Sequence, residues 1–167
     1  MSRPIRLTAA LTALTALPAL AAVDSDNTEG LEACLAAALA AHPGMVTRWE
    51  VEDGTGRGFA MEVVGHNGGL WLLTCQPASG AVGGTERATG VRDYATLSER
   101  ARIAESAARE TVRGYYPGRF IRMEYQLTWR GGAVYSYEVV TPDDREANVE
   151  VDATSGRILR TRSEARY

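Results

Sequence analysis

The sequence contains no lysine, because all 18 of its cationic side chains are arginines. The chain therefore cannot form a Schiff base or use a lysine as a nucleophile or general base. Histidine is almost absent too, and the two residues, His42 and His66, fall in predicted turns. Zinc sites usually need three or four ligands, so we expect no metal and no other cofactor, although a haem or copper role stays open.

Several catalytic and ligand-binding motifs are also missing. The sequence has no G-x-S-x-G elbow and no loop with EF-hand spacing. Residues 54–58 are rich in glycine, but a predicted strand follows them instead of the helix N-terminus that a phosphate site requires. Since no nucleophile–base pair emerges, we expect that the protein is not an enzyme.

Long apolar runs are missing after residue 21. Before it, Arg3 and Arg6 precede an apolar stretch at Leu7–Leu17, which is shorter than the roughly 20 residues of a membrane span. The small residues Ala19 and Ala21 complete the pattern of a cleavage site after Ala21. We interpret residues 1–21 as a signal peptide, with an uncleaved anchor helix as the alternative. The mature chain is then periplasmic or secreted and does not insert into the membrane.

Positively charged residues are also fewer than acidic residues. Without Arg3 and Arg6, 16 arginines face 21 acidic residues, a balance that disfavours nucleic acid as a partner. Residues 23–96 carry 4 arginines and 10 acidic residues, whereas residues 97–167 carry 12 and 11. This asymmetry favours docking of the two halves.

What the sequence does contain is an internal repeat. Met61-Glu62-Val63-Val64 aligns with Tyr137-Glu138-Val139-Val140, and the turn at 78–80 aligns with the turn at 154–156. We predict an α+β fold of two tandem repeats, residues 29–84 and 97–162, joined by a linker at 85–96. Each repeat would pack one helix on a three- to four-stranded antiparallel meander sheet.

The helices are predicted from apolar spacing and capping residues. Leu31, Cys34, Leu35 and Ala38 form one stripe, which predicts a helix over Thr28–Ala41. A second helix should begin at a capping box of Thr96 and Glu99 and continue to about Arg113. The alternation over Ile121–Trp129 predicts a strand whose apolar face runs as far as Trp129.

The second repeat resembles the PepSY domain. The residues that carry the resemblance are Tyr137-Glu138-Val139-Val140 and Val149-Glu150-Val151-Asp152-Ala153-Thr154-Ser155-Gly156-Arg157-Ile158. Residues 29–84 resemble a degenerate copy, with Gln76-Pro77 where the family pattern has Asp-Ala. PepSY domains occur in propeptides of thermolysin-like peptidases and in small exported bacterial proteins.

The resemblance implies a non-catalytic role in binding another protein, such as inhibition or modulation of a peptidase. A homodimer is a further option for the partner. The alternative function is that of a periplasmic sensor that binds a small molecule or a metal.

The two cysteines, Cys34 and Cys75, are predicted to form a disulfide. An even count in an exported chain favours a bridge. In the repeat alignment Cys75 takes the place of Val151, on the face that the helix should cover, and Cys34 lies on the helix stripe. Two buried free thiols are the alternative.

A candidate interface consists of Val64, Leu70 and Leu72 on the outer face of the first sheet. The matching positions of the second repeat are mostly polar, and antiparallel sheets are usually polar on their solvent side. Either the second repeat or the linker covers these side chains, or they bind a partner or a second copy.

Two further groups of charged residues are expected to be structural. Glu62 and Glu138 occupy matching strand positions and should belong to the scaffold, on separate sheets. Arg157, Arg160, Arg162 and Arg166 form a basic tail, for which a solvated face is favoured over an anion site.

Overall fold

The first helix, α1, has the bounds expected from its apolar stripe, Thr28–Ala41. The structure is a computed structural model that describes residues 28–52, 58–91 and 93–166, with the backbone alone for residues 28–29 and 84–91. The predicted signal peptide and most of the glycine-rich turn at 54–58 lie outside these residues. The elements after α1 are β1 (Gly44–Val51), β2 (Phe59–Gly65), β3 (Gly69–Gln76), β4 (Ala81–Val91), α2 (Tyr94–Arg100), α3 (Glu105–Tyr115), β5 (Arg119–Leu127), β6 (Ala133–Val140), β7 (Arg145–Asp152) and β8 (Ile158–Ala165).

These eight strands form one antiparallel sheet in the order β4-β3-β2-β1-β5-β6-β7-β8. Each half of the chain contributes four consecutive strands, and the halves meet where β1 pairs with β5, with Trp49 opposite Met123. The α+β class with antiparallel strands is confirmed. The separate sheets expected for the two units are wrong, because β1 and β5 pair with each other and leave no unpaired edge between the units.

The two long helices lie side by side on one face of this sheet. α1 packs over β1 to β4, and α3 packs over β6 and β7. Between helices and sheet lies a single core, whose largest fully buried side chains include Trp49, Phe59, Phe120, Met123 and Tyr137. Among the described residues, no helix has the length and apolar character needed to cross a bilayer.

The second predicted helix is two helices, α2 and α3, with residues 101–104 between them. The cap of α2 is Asp93, whose side chain accepts a hydrogen bond from the Thr96 amide at 3.2 Å. The expected capping box of Thr96 and Glu99 is therefore wrong. An aspartate that lies three residues before Thr96 satisfies the free amide of the first turn equally well.

The segment expected to be a linker, residues 85–96, contains regular structure. β4 continues to Val91 and α2 begins at Tyr94. β4 pairs with β3 across two register shifts, since bulges allow an irregular, glycine-rich strand to stay paired at the sheet edge. The boundaries of the two predicted units remain predictions.

The predicted disulfide between Cys34 and Cys75 is confirmed, with the two Cα atoms 5.7 Å apart. Both residues are buried. The bridge ties α1 to β3 across a sequence separation of 41. It therefore fixes the helix on the sheet in the first half of the chain.

Candidate functional site

A cleft of about 460 Å³ opens on the helix side of the sheet, between α1 and the segment that joins α2 to α3. The carboxylates of Glu32 and Glu105 line it. Its apolar walls include Leu35, Leu39, Met45, Val46, Ile103 and Tyr135. A mainly apolar cleft with a few polar groups is the usual form of a ligand site. The cleft is therefore the first candidate site.

An ion network joins the two long helices at this cleft. Arg109 on α3 is 1% exposed, and its Nη2 donates to Oε1 of Glu32 on α1. Its Nε donates to Oε1 of Glu105, one helical turn earlier, at 3.2 Å. Within the described part of the chain, Arg109 Nη1 is buried without a hydrogen-bond partner. The network thus holds α1 against α3 but satisfies the guanidinium incompletely.

Of the two carboxylates in the network, that of Glu105 is more deeply buried than that of Glu32. Trp49 Nε1 donates to its Oε1 at 3.4 Å and the Tyr137 hydroxyl at 3.3 Å. Burial raises the pKa of Glu105, and the charge of Arg109 works against this rise. Raised pKa values mark functional sites but also arise in structural ion networks. Oε1 accepts from Trp49 and Arg109 and shares the Tyr137 hydroxyl proton with the main-chain carbonyl of Glu105, so we interpret Glu105 as structural.

Three tyrosine hydroxyls hold the segment between α2 and α3 on the sheet. They donate to main-chain carbonyls: Tyr125 to Leu97 at 2.8 Å, Tyr135 to Ile103 at 2.8 Å and Tyr137 to Glu105 at 3.0 Å. Leu97 is in the last turn of α2, Ile103 is in the connecting segment, and Glu105 is the first residue of α3, so the hydroxyls hold the chain on both sides of the break. Burial raises the pKa of all three tyrosines, that of Tyr125 to about 12. These hydroxyls fix the cleft wall that residues 101–105 form.

The predicted interface residues are divided between core and surface. Val64 and Leu70 are cross-strand partners and are 0% and 7% exposed, whereas Leu72 is 42% exposed. Leu70 also pairs with Ala88 of β4, which lies in the segment that was expected to be a linker. Val64 and Leu70 therefore belong to the core, and the role of Leu72 in an interface stays a prediction.

Glu62 and Glu138 lie on the face of the sheet away from the helices, and on the same sheet. Each stands directly across from an arginine, Arg48 for Glu62 and Arg122 for Glu138. The row continues across the joint between the halves, where Arg48 stands opposite Glu124. Burial raises the pKa of Glu138, and the neighbouring Glu146 raises it further. Opposite charges across strands stabilise pairing, which fits a scaffold role.

Both histidines pack against aromatic rings. His42 stacks on Trp71 with ring centroids 3.9 Å apart, and His66 meets Tyr94 edge to face at 4.7 Å. In the described ranges, no three His, Cys, Asp or Glu side chains come together as candidate metal ligands. The two histidines thus lie at separate ring contacts.

The ion network at the cleft was not predicted from the sequence. Its signal is in the repeat alignment, because an offset of 74 places Glu105 at the position of Leu31 and Arg109 at the position of Leu35. Two charged residues in the place of two apolar helix residues indicate a buried ion pair. The tyrosine contacts also have a signal in the repeat alignment. Tyr135 and Tyr137 align with the apolar residues Phe59 and Met61, so each adds a hydroxyl at a core position.

Comparison with protein families confirms the resemblance found in the sequence. The model of the PepSY family, "Peptidase propeptide and YPEB domain", matches residues 102–162. The match covers α3 and the strands from β5 into β8. The degenerate copy expected at 29–84 remains a prediction.

Two further comparisons add little. A search of curated proteins finds no match. A solved structure of a candidate lipoprotein from Clostridium difficile 630 is 15% identical, with a TM-score of 0.48, and the similarity covers 71% of this chain and 82% of that one.

Proposed function

We propose that this chain, whose residues 102–162 match the PepSY family, is an exported, non-catalytic module that binds a peptidase and modulates or inhibits it. The family match carries the proposal, because the family includes domains of peptidase propeptides. The protein would act in the periplasm or outside the cell after removal of the signal peptide.

The geometry of the sheet supports a binding role. Both long helices cover one face, and the outer strands β4 and β8 each pair with one neighbour. An unpaired strand edge can accept an extended segment of another protein through main-chain hydrogen bonds. The protein thus offers a recognised mode of peptide binding that needs no catalytic residue.

We also propose that the chain is a tandem repeat whose two units have merged into one sheet. Gly44 and Gly118 occupy matching positions, and a Cβ would lie 2.1 Å from the Val64 carbonyl oxygen at the first and 2.3 Å from that of Val140 at the second. β1 and β5 also carry matching register shifts. Equivalent close approaches and bulges in both halves support descent from one unit.

The peptidase proposal is tested in the exported fraction of the source bacterium. The mature chain is added to this fraction, crosslinked, and its partners are identified by mass spectrometry while peptidase activity is followed with a fluorogenic substrate. We expect a peptidase among the crosslinked partners and a saturable change in its activity. Crosslinks without any peptidase, together with unchanged activity, would contradict the proposal.

A small-molecule sensor is the second candidate, and the cleft of about 460 Å³ favours it. Its size and apolar walls suit a small ligand. Native mass spectrometry of the protein from its own source tests this alternative. A retained organic ligand, lost when Leu39→Trp fills the cleft, would favour the sensor over the peptidase modulator.

A further inference from the structure

The two edges of the sheet differ in how the helices cover them. In the first half α1 reaches as far as β4, where Gly30 lies against Pro77 and Val82 packs on the core. In the second half α3 lies over β6 and β7. α3 therefore does not cover β8, and all residues of this strand except the half-buried Ile158 are exposed.

A groove runs along this bare edge, between α3 and β8. Its volume is about 490 Å³, and its lining includes Thr111, Tyr115, Tyr116, Arg157, Ile158 and Thr161. Thr161 stands opposite the fully buried Val149, so its side chain is on the helix side of the sheet. Tyr115 is 72% exposed at the groove wall. An extended segment paired with β8 would place every second side chain in this groove.

The edge also carries a concentrated positive charge. Residues 157–166 contain four arginines and one acidic residue, although the full chain is acidic. The side chains of Arg160 and Arg162 are more than 75% exposed even where they meet Glu150 and Glu164. Exposed ion pairs contribute little, so these arginines can exchange partners at low cost. The opposite edge, β4, has one arginine and one glutamate.

We propose that β8 is the docking edge for an extended, acidic segment of the partner protein, which adds to the sheet as a ninth strand. Main-chain pairing with β8 would provide affinity, and small or apolar side chains would enter the groove beside α3. Acidic side chains on the other face would meet Arg160 and Arg162. This inference rests on the proposed function and adds the site and the chemistry of the partner.

The test uses three peptides of about the length of β8. In each peptide Val or Thr occupies every second position, and the positions between are all Glu, all Ser or all Arg. Binding to the mature protein is followed by fluorescence anisotropy at low ionic strength. We expect the Glu peptide to bind at least about tenfold more tightly than the Arg peptide, with a preference that shrinks as salt screens the charges. No binding of the Glu peptide, or equal binding of all three, overturns the proposal.

Hydrogen exchange locates the bound peptide. Amides of Ile158–Ala165 that point away from β7 should gain protection, while the amides of β4 serve as the internal reference. Protection at β4 or at the α1–α3 cleft in place of β8 overturns the proposal.

A matched pair of double variants tests the charge. Arg160→Glu with Arg162→Glu should weaken binding of the Glu peptide roughly tenfold, because two exposed attractions become repulsions. Arg102→Glu with Arg130→Glu makes the same change at exposed positions outside β8 and should leave binding within about twofold. Equal losses in both variants would show that only net charge matters, and the edge proposal would then be wrong.

The same variants separate this inference from the proposed function. If the protein modulates a peptidase and Arg160→Glu with Arg162→Glu acts as well as the wild type, the docking edge is wrong and the function stands. If β8 takes up the Glu peptide but no peptidase responds, the docking edge stands and the function is wrong.

Discussion

Arg109 is a buried charged residue at a position where the first half of the chain has the apolar Leu35. It is buried under α1 and α3 and depends on Glu32 and Glu105 for its charge balance. At the matching positions the first half has Leu31 and Leu35 in place of Glu105 and Arg109. A buried ion pair often contributes no more stability than apolar side chains of similar size, but breaking one is costly.

A double-mutant cycle follows from this comparison. Arg109→Leu alone should lower the free energy of unfolding by about 3–5 kcal/mol, because it leaves the Glu105 carboxylate buried without its cation. Adding Glu105→Leu should recover most of the loss, since the second half then has the apolar pair of the first. Urea denaturation measures both changes. Arg102→Leu, at an exposed position, is the control, and a double variant no more stable than Arg109→Leu alone would contradict the argument.

The pH dependence of stability gives a second test of Glu105. Its pKa is raised in the folded protein by burial, so its contribution to stability is greatest below the unfolded pKa of about 4.3 and is lost as pH rises through the folded pKa. Glu105→Gln removes this titration. We expect the variant to gain stability relative to the wild type as pH rises from acid to neutral, measured by urea denaturation. A difference that does not change with pH would mean that Glu105 is not desolvated.

At the scale of elements, the sequence predicted those features that depend on residues close together in the chain or on the internal repeat. The bounds of α1 follow from four apolar residues and the stop at His42-Pro43-Gly44, and the cysteine pair follows from the stripe and the repeat. The break between α2 and α3 could not be predicted in this way. Tyrosines 28 to 32 residues further along the chain donate their hydroxyls to the carbonyls at the break, and such a contact has no local signal.

β5 shows the same limit. Its alternation predicted one apolar face from Ile121 to Trp129, but a register shift follows Phe120, so that Phe120 and Met123 are both buried and Ile121 is half-buried. Leu127 and Trp129, expected on the buried face, are 44% and 87% exposed. The bulge explains why Phe120 and Met123 are both buried, and simple alternation cannot reveal it. Leu127 is the last residue of β5 and Trp129 lies in the turn beyond it, so both are exposed because the strand ends.

β3 offers a direct comparison of two neighbouring leucines that the sequence assigned to one interface. Leu70→Asp should destabilise the protein by several kcal/mol, because it buries a carboxylate among apolar side chains without a cation. Leu72→Asp should leave the protein folded, since that side chain is 42% exposed. Thermal denaturation distinguishes the two variants.

Leu72→Asp also tests the predicted interface. If Leu72 contacts a partner or a second copy, the folded variant should lose binding in the crosslinking assay or dissociate in analytical ultracentrifugation. A variant that stays folded and binds as the wild type does would remove Leu72 from the interface.

At the scale of the molecule, the two halves share more than a linker. They share the pairing of β1 with β5, the core beneath the helices, and the contact of Arg109 with Glu32. Small units bury too little apolar surface to be very stable alone, so a common core stabilises both. We therefore expect one cooperative unfolding transition for the whole described structure, although the disulfide lies within the first half.

Removal of the disulfide tests this expectation. Cys34→Ala with Cys75→Val introduces the residues found at the matching positions of the second half, Ala108 and Val151. Loss of a bridge that closes a loop of this length should lower the free energy of unfolding by about 3–4 kcal/mol. If the halves unfold together, the slowest-exchanging amides of β7 should lose as much protection as those of β2.

Native-state hydrogen exchange measures this protection residue by residue, because amides that exchange only by global unfolding report the same free energy. Reduction of the wild-type protein is the control and should give the same loss as the double variant. Loss of protection confined to β1–β4, with β6 and β7 unchanged, would mean that each half unfolds by itself. The single sheet would then be two adjacent folding units that pair only at the β1–β5 edge.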